Sequence, residues 1–311
     1  MIIAIDHGNS EIKTAHEAFP SGLVGNPAMP QMAADWMEFG GNTYALSGSH
    51  LPYQRDKTAN DDFYILSLFA IAKELARCEV QQTDVQLAIG LPPAHMQGLK
   101  ESFARYFVRD QKEIAFHCNG VDYKITITAA NVFPQAYPAV YERYEQIAAL
   151  DKAYIVDVGG YTADVLLLRH GKLDLGCCYS LECGVIKLFT KAASVLTSRF
   201  GGTVEESDIR NALMGKETLL DASMRETVRQ VAQAHCDALL ADLQANDVDL
   251  SFAHAFFVGG GALLLRPMLE QSGRLKHAEF VTDTLANAKG YEAMAKAAAG
   301  VKQGVKKGAE K

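Results

Sequence analysis

The sequence lacks several common functional devices. No apolar run reaches the roughly 18 residues that a membrane-crossing helix needs, so no bilayer span is expected. No basic stretch or cleavage-like site precedes the first apolar segment, Ile2-Ile3-Ala4-Ile5, so no secretory leader and a cytoplasmic location are expected. The six cysteines (Cys78, Cys118, Cys177, Cys178, Cys183 and Cys236) contain no C-x-x-C pair. That argues against a disulfide framework or zinc site and for reduced thiols. Positive charge is not in excess: 30 Lys and Arg face 37 Asp and Glu, a net charge of -7. A general nucleic-acid-binding surface is therefore not expected. Neither the P-loop signature nor G-x-G-x-x-G occurs, which removes the two commonest phosphate-binding fingerprints.

What is present is an ordinary globular composition, 49% apolar and 22% charged, over 311 residues. That length exceeds a usual single core and predicts two lobes. Three buried-strand patterns each end in a glycine turn: Asp6-His7-Gly8, Asp157-Val158-Gly159-Gly160 and Gly259-Gly260-Gly261. A strand-end aspartate can hold a metal through water, and adjacent glycines let backbone N–H groups approach phosphate oxygens. A triple glycine that opens a helix points N–H groups at a ligand. Asn9, Ser10 and Lys13 follow the first turn with further donors, and Tyr161, Thr162 and Asp164 follow the second. The two Asp-Gly turns recur roughly 150 residues apart, a weak internal repeat that predicts two lobes with a common core.

The elements between them read as follows. Residues 19–60 are rich in Gly, Pro and Asn and predict a small loop-rich subdomain, with strands at Trp36–Phe39 and Thr43–Leu46. Asp61 or Asp62 is expected to cap a helix to Cys78 with one apolar face. Val85–Ile89 is a strand, 94–108 a helix, and 113–118 and 123–128 a hairpin through Asn119-Gly120. Val132–Ala139 is expected to lead into a helix ending near Leu150. Gly184 opens a helix to Phe200, Ser207-Asp208 is cap-like before Ile209–Leu213, and further helices are expected over 223–244 and 286–299. The domain reading is 1–150 for the first lobe and 151–299 for the second. Residues 300–311, with Lys302, Lys306, Lys307 and Lys311, form a basic, frayed tail.

The set of turns resembles the actin, heat-shock chaperone and sugar-kinase ATPase superfamily, and more closely the ParM/StbA group of bacterial actin-like ATPases. The first phosphate motif of that group is matched by Asp6, Gly8, Asn9, Ser10 and Lys13, and the second by Asp157, Gly159, Gly160, Thr162 and Asp164. The connecting segment is matched by Val132-Phe133-Pro134-Gln135-Ala136-Tyr137-Pro138-Ala139, and the adenosine motif by Val258–Ala262. The resemblance covers about residues 1–299. It implies an α/β, actin-like two-lobed fold of duplicated RNase H-like βββαβα cores with a nucleotide cleft between them. It further implies an ATPase using ATP/ADP and Mg²⁺. Asp6 and Asp157 would hold the ion through water, and Gln135 and Asp157 would act on the lytic water. Gly8, Asn9, Ser10, Lys13, Gly159, Gly160, Tyr161 and Thr162 would bind phosphates. Gly184, Arg210, Lys216, Glu217, Gly259, Gly260 and Gly261 would complete the nucleotide site. Two positions depart from the pattern. Gln135 stands where Glu is usual, and glutamine can orient a water but cannot act as a strong base. His7 stands in the first turn, and a structural role is expected for it.

The function implied is a filament-forming ATPase that segregates plasmid DNA. Its partners would be its own copies and an adaptor DNA-binding protein at a centromere-like site, with no direct nucleic-acid or membrane contact. The alternative is a small-molecule, sugar-type kinase of the same superfamily. A chaperone ATPase would need a substrate-binding region after the core, and none is legible.

Overall fold

The computed structural model describes residues 1–29, 32, 35–52, 54 and 56–309, with 301–309 as backbone. Six positions within 19–60, and Glu310 and Lys311 of the tail, lie outside the described residues. Backbone contacts divide the chain into two units, Met1–Tyr141 with Leu285–Lys311, and Glu142–Thr284.

The first unit begins with β1 (Ile2–His7), β2 (Glu11–Lys13), β3 (Ala18–Pro20), β4 (Gly22–Gly25), β5 (Trp36–Phe39) and β6 (Asn42–Ser47). It continues with α1 (Asp62–Arg77), β7 (Gln82–Leu91), α2 (Met96–Val108), β8 (Ile114–Cys118) and β9 (Val121–Pro134). The sheet order is β3-β2-β1-β7-β9-β8-β5-β6-β4. The segment read as loop-rich thus extends the main sheet, because β5 pairs with β8. α1 is buried almost all round, from Phe63 to Ala72 and on to Leu75, rather than on one face. Its buried Glu74 is satisfied by His16 Nδ1 at 2.9 Å and Arg77 at 3.2 Å. Asp61 does occupy the N-cap position of α1, but its side chain makes no capping bond. Its carboxylate instead accepts from Arg109 at 2.6 Å.

The second unit holds α3 (Tyr144–Ala148), β10 (Ala153–Val158), β11 (Ala163–Arg169), β12 (Lys172–Leu173), β13 (Tyr179–Leu181), α4 (Val185–Phe200) and α5 (Glu206–Leu213). α6 (Ala222–Ala245), β14 (His254–Val258), α7 (Gly259–Gln271) and β15 (His277–Phe280) complete it. Its sheet runs β12-β11-β10-β14-β15, with β13 beside β11. β1 pairs antiparallel with β2 and parallel with β7, as β10 pairs antiparallel with β11 and parallel with β14. β7 then carries β9 in parallel, as β14 carries β15. The two sheets therefore share one core order, third-second-first-fourth-fifth. The central strands are apolar runs because helices cover parallel strands on both faces. Ser207 and Asp208 lie inside α5 and do not cap it. The Asp208 carboxylate instead accepts from Thr218 Oγ1 at 2.9 Å and Leu219 N at 3.3 Å, folding the loop after α5 onto the helix.

The last helix, α8 (Ala286–Ala309), runs past Gly300, where the sequence predicted its end. Ala and Lys are good helix formers, and composition alone misjudged this boundary. α8 belongs to the first unit, not to the second half of the chain as expected. Ala288, Tyr291 and Ala295 form one helical stripe that packs on Ala4 of β1 and Ala88 of β7. Alanines on both surfaces let helix and sheet approach closely. The Tyr291 ring also stacks on Phe133 at 6.0 Å. Tyr291→Ala is expected to cost about 3–5 kcal/mol of unfolding free energy, measured by urea denaturation, because it opens a cavity under α8.

Candidate phosphate-binding turns

Each unit presents a turn at the carboxyl end of its first strand, the edge where ligands bind parallel sheets. In the first unit Asp6 of β1 lies opposite Lys13 of β2, and in the second Asp157 of β10 lies opposite Asp164 of β11. The turns are built alike. The carbonyl of His7 accepts from Lys57 Nζ, that of Asn9 from Ser21 Oγ, and that of Ser10 from Ser21 N. In the second turn the carbonyls of Gly159, Gly160 and Tyr161 accept from Val185 N, Ile186 N and Gly184 N at 3.1, 2.8 and 3.0 Å. Carbonyls held on one side favour amides presented on the other, as in an anion nest, but the Gly159 N–H expected to meet phosphate is itself spent on the Thr162 carbonyl at 2.8 Å, closing the turn. Ser10 Oγ is buried in the first turn without a hydrogen-bond partner among the described residues. Lys13 is shielded and pairs with Glu11 at 3.4 Å.

Glycine is required where backbone meets backbone. A Cβ on Gly184 would lie 2.3 Å from the Gly160 carbonyl oxygen, so α4 could not seat on the turn. Gly184 therefore stands behind the turn and shapes it. Gly259 has φ +90°, and its Cβ would lie 2.4 Å from the Asp157 carboxylate. That places the first residue of α7 against Asp157, which neighbours Val258 in register. Gly261 is closed in by the Val158 carbonyl, whereas a Cβ on Gly260 would meet open space. Asp164, mostly buried, accepts from Ser180 Oγ.

Gln135 follows β9. Its side-chain Nε2 donates to Asp6 Oδ1 at 3.0 Å. With the NH₂ directed to the carboxylate, Oε1 is the end that can accept from a water. Arg210 pairs with Glu206 at 2.9 Å within α5 and lies over the Phe189 ring. Lys216 and Glu217 are exposed in the turn after α5. Arg210 thus lies on α5, and Lys216 and Glu217 lie in the loop that follows it. A groove of about 470 Å³ is lined by Glu38–Thr43 and by His117, Asp122 and Lys124, and by none of these turn residues.

His7 is structural, as expected. It is 0% exposed, its Nε2–H donates to Ser67 Oγ at 2.7 Å, and its ring stacks on Phe107 at 4.9 Å. Ser67 Oγ in turn donates to the Phe63 carbonyl. Burial, with the nearby Lys57 charge, holds the imidazole well below its ordinary 6.5. Sequence reasoning missed Lys57, Ser21 and Asn287, all tied to the backbone of these segments. Asn287 alone carried a signal, a polar residue beside the Ala288–Tyr291–Ala295 stripe.

Residues 4–137 match the family model for the N-terminal domain of actin-like proteins. Residues 155–271 match the model for the C-terminal domain of archaeal actin homologues of the MreB-like type. No curated protein sequence matches the chain. Among solved structures, Ta0583, an archaeal actin homologue crystallised in complex with ADP, is 18% identical. It aligns over 95% of this chain and 99% of its own, with a TM-score of 0.76. A 15-stranded ParM filament from Clostridium botulinum gives 15% identity, 95% and 98% coverage and a TM-score of 0.74. Bacillus thuringiensis ParM with ATP gives 14%, 94% and 97%, and 0.66. At such identities the likeness is one of fold.

Two outcomes are expected from this geometry. Gly259→Ala forces an unfavourable backbone and a clash with Asp157, and should cost about 1–3 kcal/mol of unfolding free energy in denaturant melts. For His7, the unfolded chain takes up a proton as pH falls through 6.5. The buried imidazole resists that proton, so stability drops on acidification, by up to about 1.4 kcal/mol per pH unit. His7→Phe should flatten that slope between about pH 6.5 and 5, leaving the same-signed contribution of the part-buried His235.

Proposed function

We propose that this chain, which belongs to the actin homologues by its fold and both domain models, is a Mg-ATP-hydrolysing protein that polymerises into nucleotide-dependent filaments and segregates plasmid DNA. The observation that carries the reading is the duplicated turn. Each sheet ends its first strand in Asp-x-Gly, with the following carbonyls tied back, and α7 opens on three glycines against the second aspartate. ATP phosphates are the ligand proposed for these amides, with Ser10 Oγ and Lys13 as side-chain donors. The first turn of α7 would take the nucleoside side, and Arg210, Lys216 and Glu217 its rim.

The donor set fits magnesium in one manner only. Among the described residues no group of three or more His, Cys, Asp and Glu is clustered for a metal. Those residues thus offer no dedicated cage. Asp6 and Asp157 suit an ion that shares its shell with water and phosphate oxygens. When bound, Mg²⁺ supplies charge neutralisation of the phosphates. The chain's own part is positional. Asp6 fixes the Gln135 amide, whose Oε1 orients the attacking water, and Asp157 accepts from that water as it reacts. The ParM and Alp12 relatives are described as filaments, which supports self-assembly here. The net charge of -7 favours reaching DNA through a basic adaptor rather than directly.

The test is sedimentation of the purified chain at tens of micromolar, with phosphate release followed in parallel. Pelleting with Mg-ATP that reverses as ATP is exhausted is the expected result. A chain that never pellets, yet phosphorylates a sugar, is instead the kinase. Asp157→Ala should abolish phosphate release while still pelleting with ATP. Gln135→Ala should slow single-turnover hydrolysis roughly 10- to 100-fold with little change in nucleotide affinity.

A further inference from the structure

We infer that Asn287 of α8 is a positioning residue for Gln135, an inference that rests on the water-orienting role proposed above. Gln135 occupies a bend held at several points. Its own N–H donates to the Leu91 carbonyl at 2.7 Å, and its carbonyl accepts from Tyr137 N at 2.9 Å. The next residue, Ala136, is 0% exposed with φ +69°, a left-handed conformation that alanine adopts only when its surroundings impose it. The Ala136 N–H donates to Asn287 Oδ1 at 3.0 Å, and Asn287 is itself buried. Both groups are shut off from water, so the bond cannot be replaced by solvent.

Two neighbours on the same helical face complete the grip. A Cβ on Gly290 would lie 2.0 Å from the Pro138 carbonyl oxygen. A Cβ on Gly90, at the end of β7, would meet the Tyr291 hydroxyl at 2.0 Å and Gln135 Cγ at 3.1 Å. Positions 287, 290 and 291 are spaced i, i+3 and i+4, and so project from one side of α8. The peptide between Gln135 and Ala136 is therefore oriented from α8, and with it the direction in which the Gln135 amide leaves the backbone. Loss of the Asn287 acceptor would let Ala136 relax to negative φ, turning that peptide and drawing the amide off Asp6. Nucleotide contacts made by the turns would be untouched.

The experiment is a double-mutant cycle on the full chain with Mg-ATP. It measures single-turnover hydrolysis and nucleotide affinity for Asn287→Leu, Gln135→Ala and the pair. Asn287→Leu should slow hydrolysis roughly 10- to 100-fold, keep affinity within about threefold, and add nothing in the Gln135→Ala background. Asn287→Asp, which keeps the acceptor oxygen, should restore most of the rate. A folded Asn287→Leu protein with the wild-type rate overturns the inference, as does a slowing that multiplies with that of Gln135→Ala. If Asn287→Leu fails to fold, a folded Asn287→Asp protein as slow as Gln135→Ala overturns it. Wild-type turnover by Gln135→Ala would instead remove the role assigned to Gln135 itself.

Discussion

A backbone turn is fixed in shape when its carbonyls are held from one side, and both units of this protein hold theirs that way. In the first, Lys57 and Ser21 hold three carbonyls; in the second, the opening residues of α4 hold three more. The solutions differ in chemistry but not in effect. A side-chain ammonium and one serine do in the first turn what the amino terminus of a helix does in the second. The positive end of α4 also lies against the second turn, which favours negative charge there. Gly184 and Ser21 never need to touch a ligand to matter.

The turns were legible in the sequence because they are local. Asp6, Gly8, Asp157, Gly159 and the three glycines at 259–261 each follow a strand whose apolar run is unbroken, so their places at strand ends could be read directly. The duplication could be read for the same reason, and the shared strand order of the two sheets bears it out. His7 was read as structural from a single residue, and its burial among Phe63, Phe103 and Phe107 agrees.

What stayed illegible depends on partners distant in sequence. Asp208 looks like a helix cap until Thr218 and Leu219 are seen to claim its carboxylate. Asp61 holds the cap position of α1, but Arg109 takes the carboxylate that would have made the bond. β15 is too short and too mixed to announce itself, and pairs only because β14 offers a parallel edge. The placement of α8 was hidden most deeply. Nothing in an alanine-rich stretch says which of two sheets its stripe will choose, and the answer lies in Ala4 and Ala88, the small residues that leave room for Tyr291.

The return of α8 to the first unit has a consequence for the order in which the protein can be made. Asn287 meets Ala136 across 151 residues of chain. During synthesis the first sheet leaves the ribosome long before the helix that covers Ala4, Ala88 and Phe133. Its native contacts cannot be completed until the whole second unit has been translated. Such long-range closure is slow and exposes apolar surface meanwhile. The bend at Gln135, gripped by that same helix, is thus assembled last: the hydrolytic machinery proposed here is armed only on a finished chain.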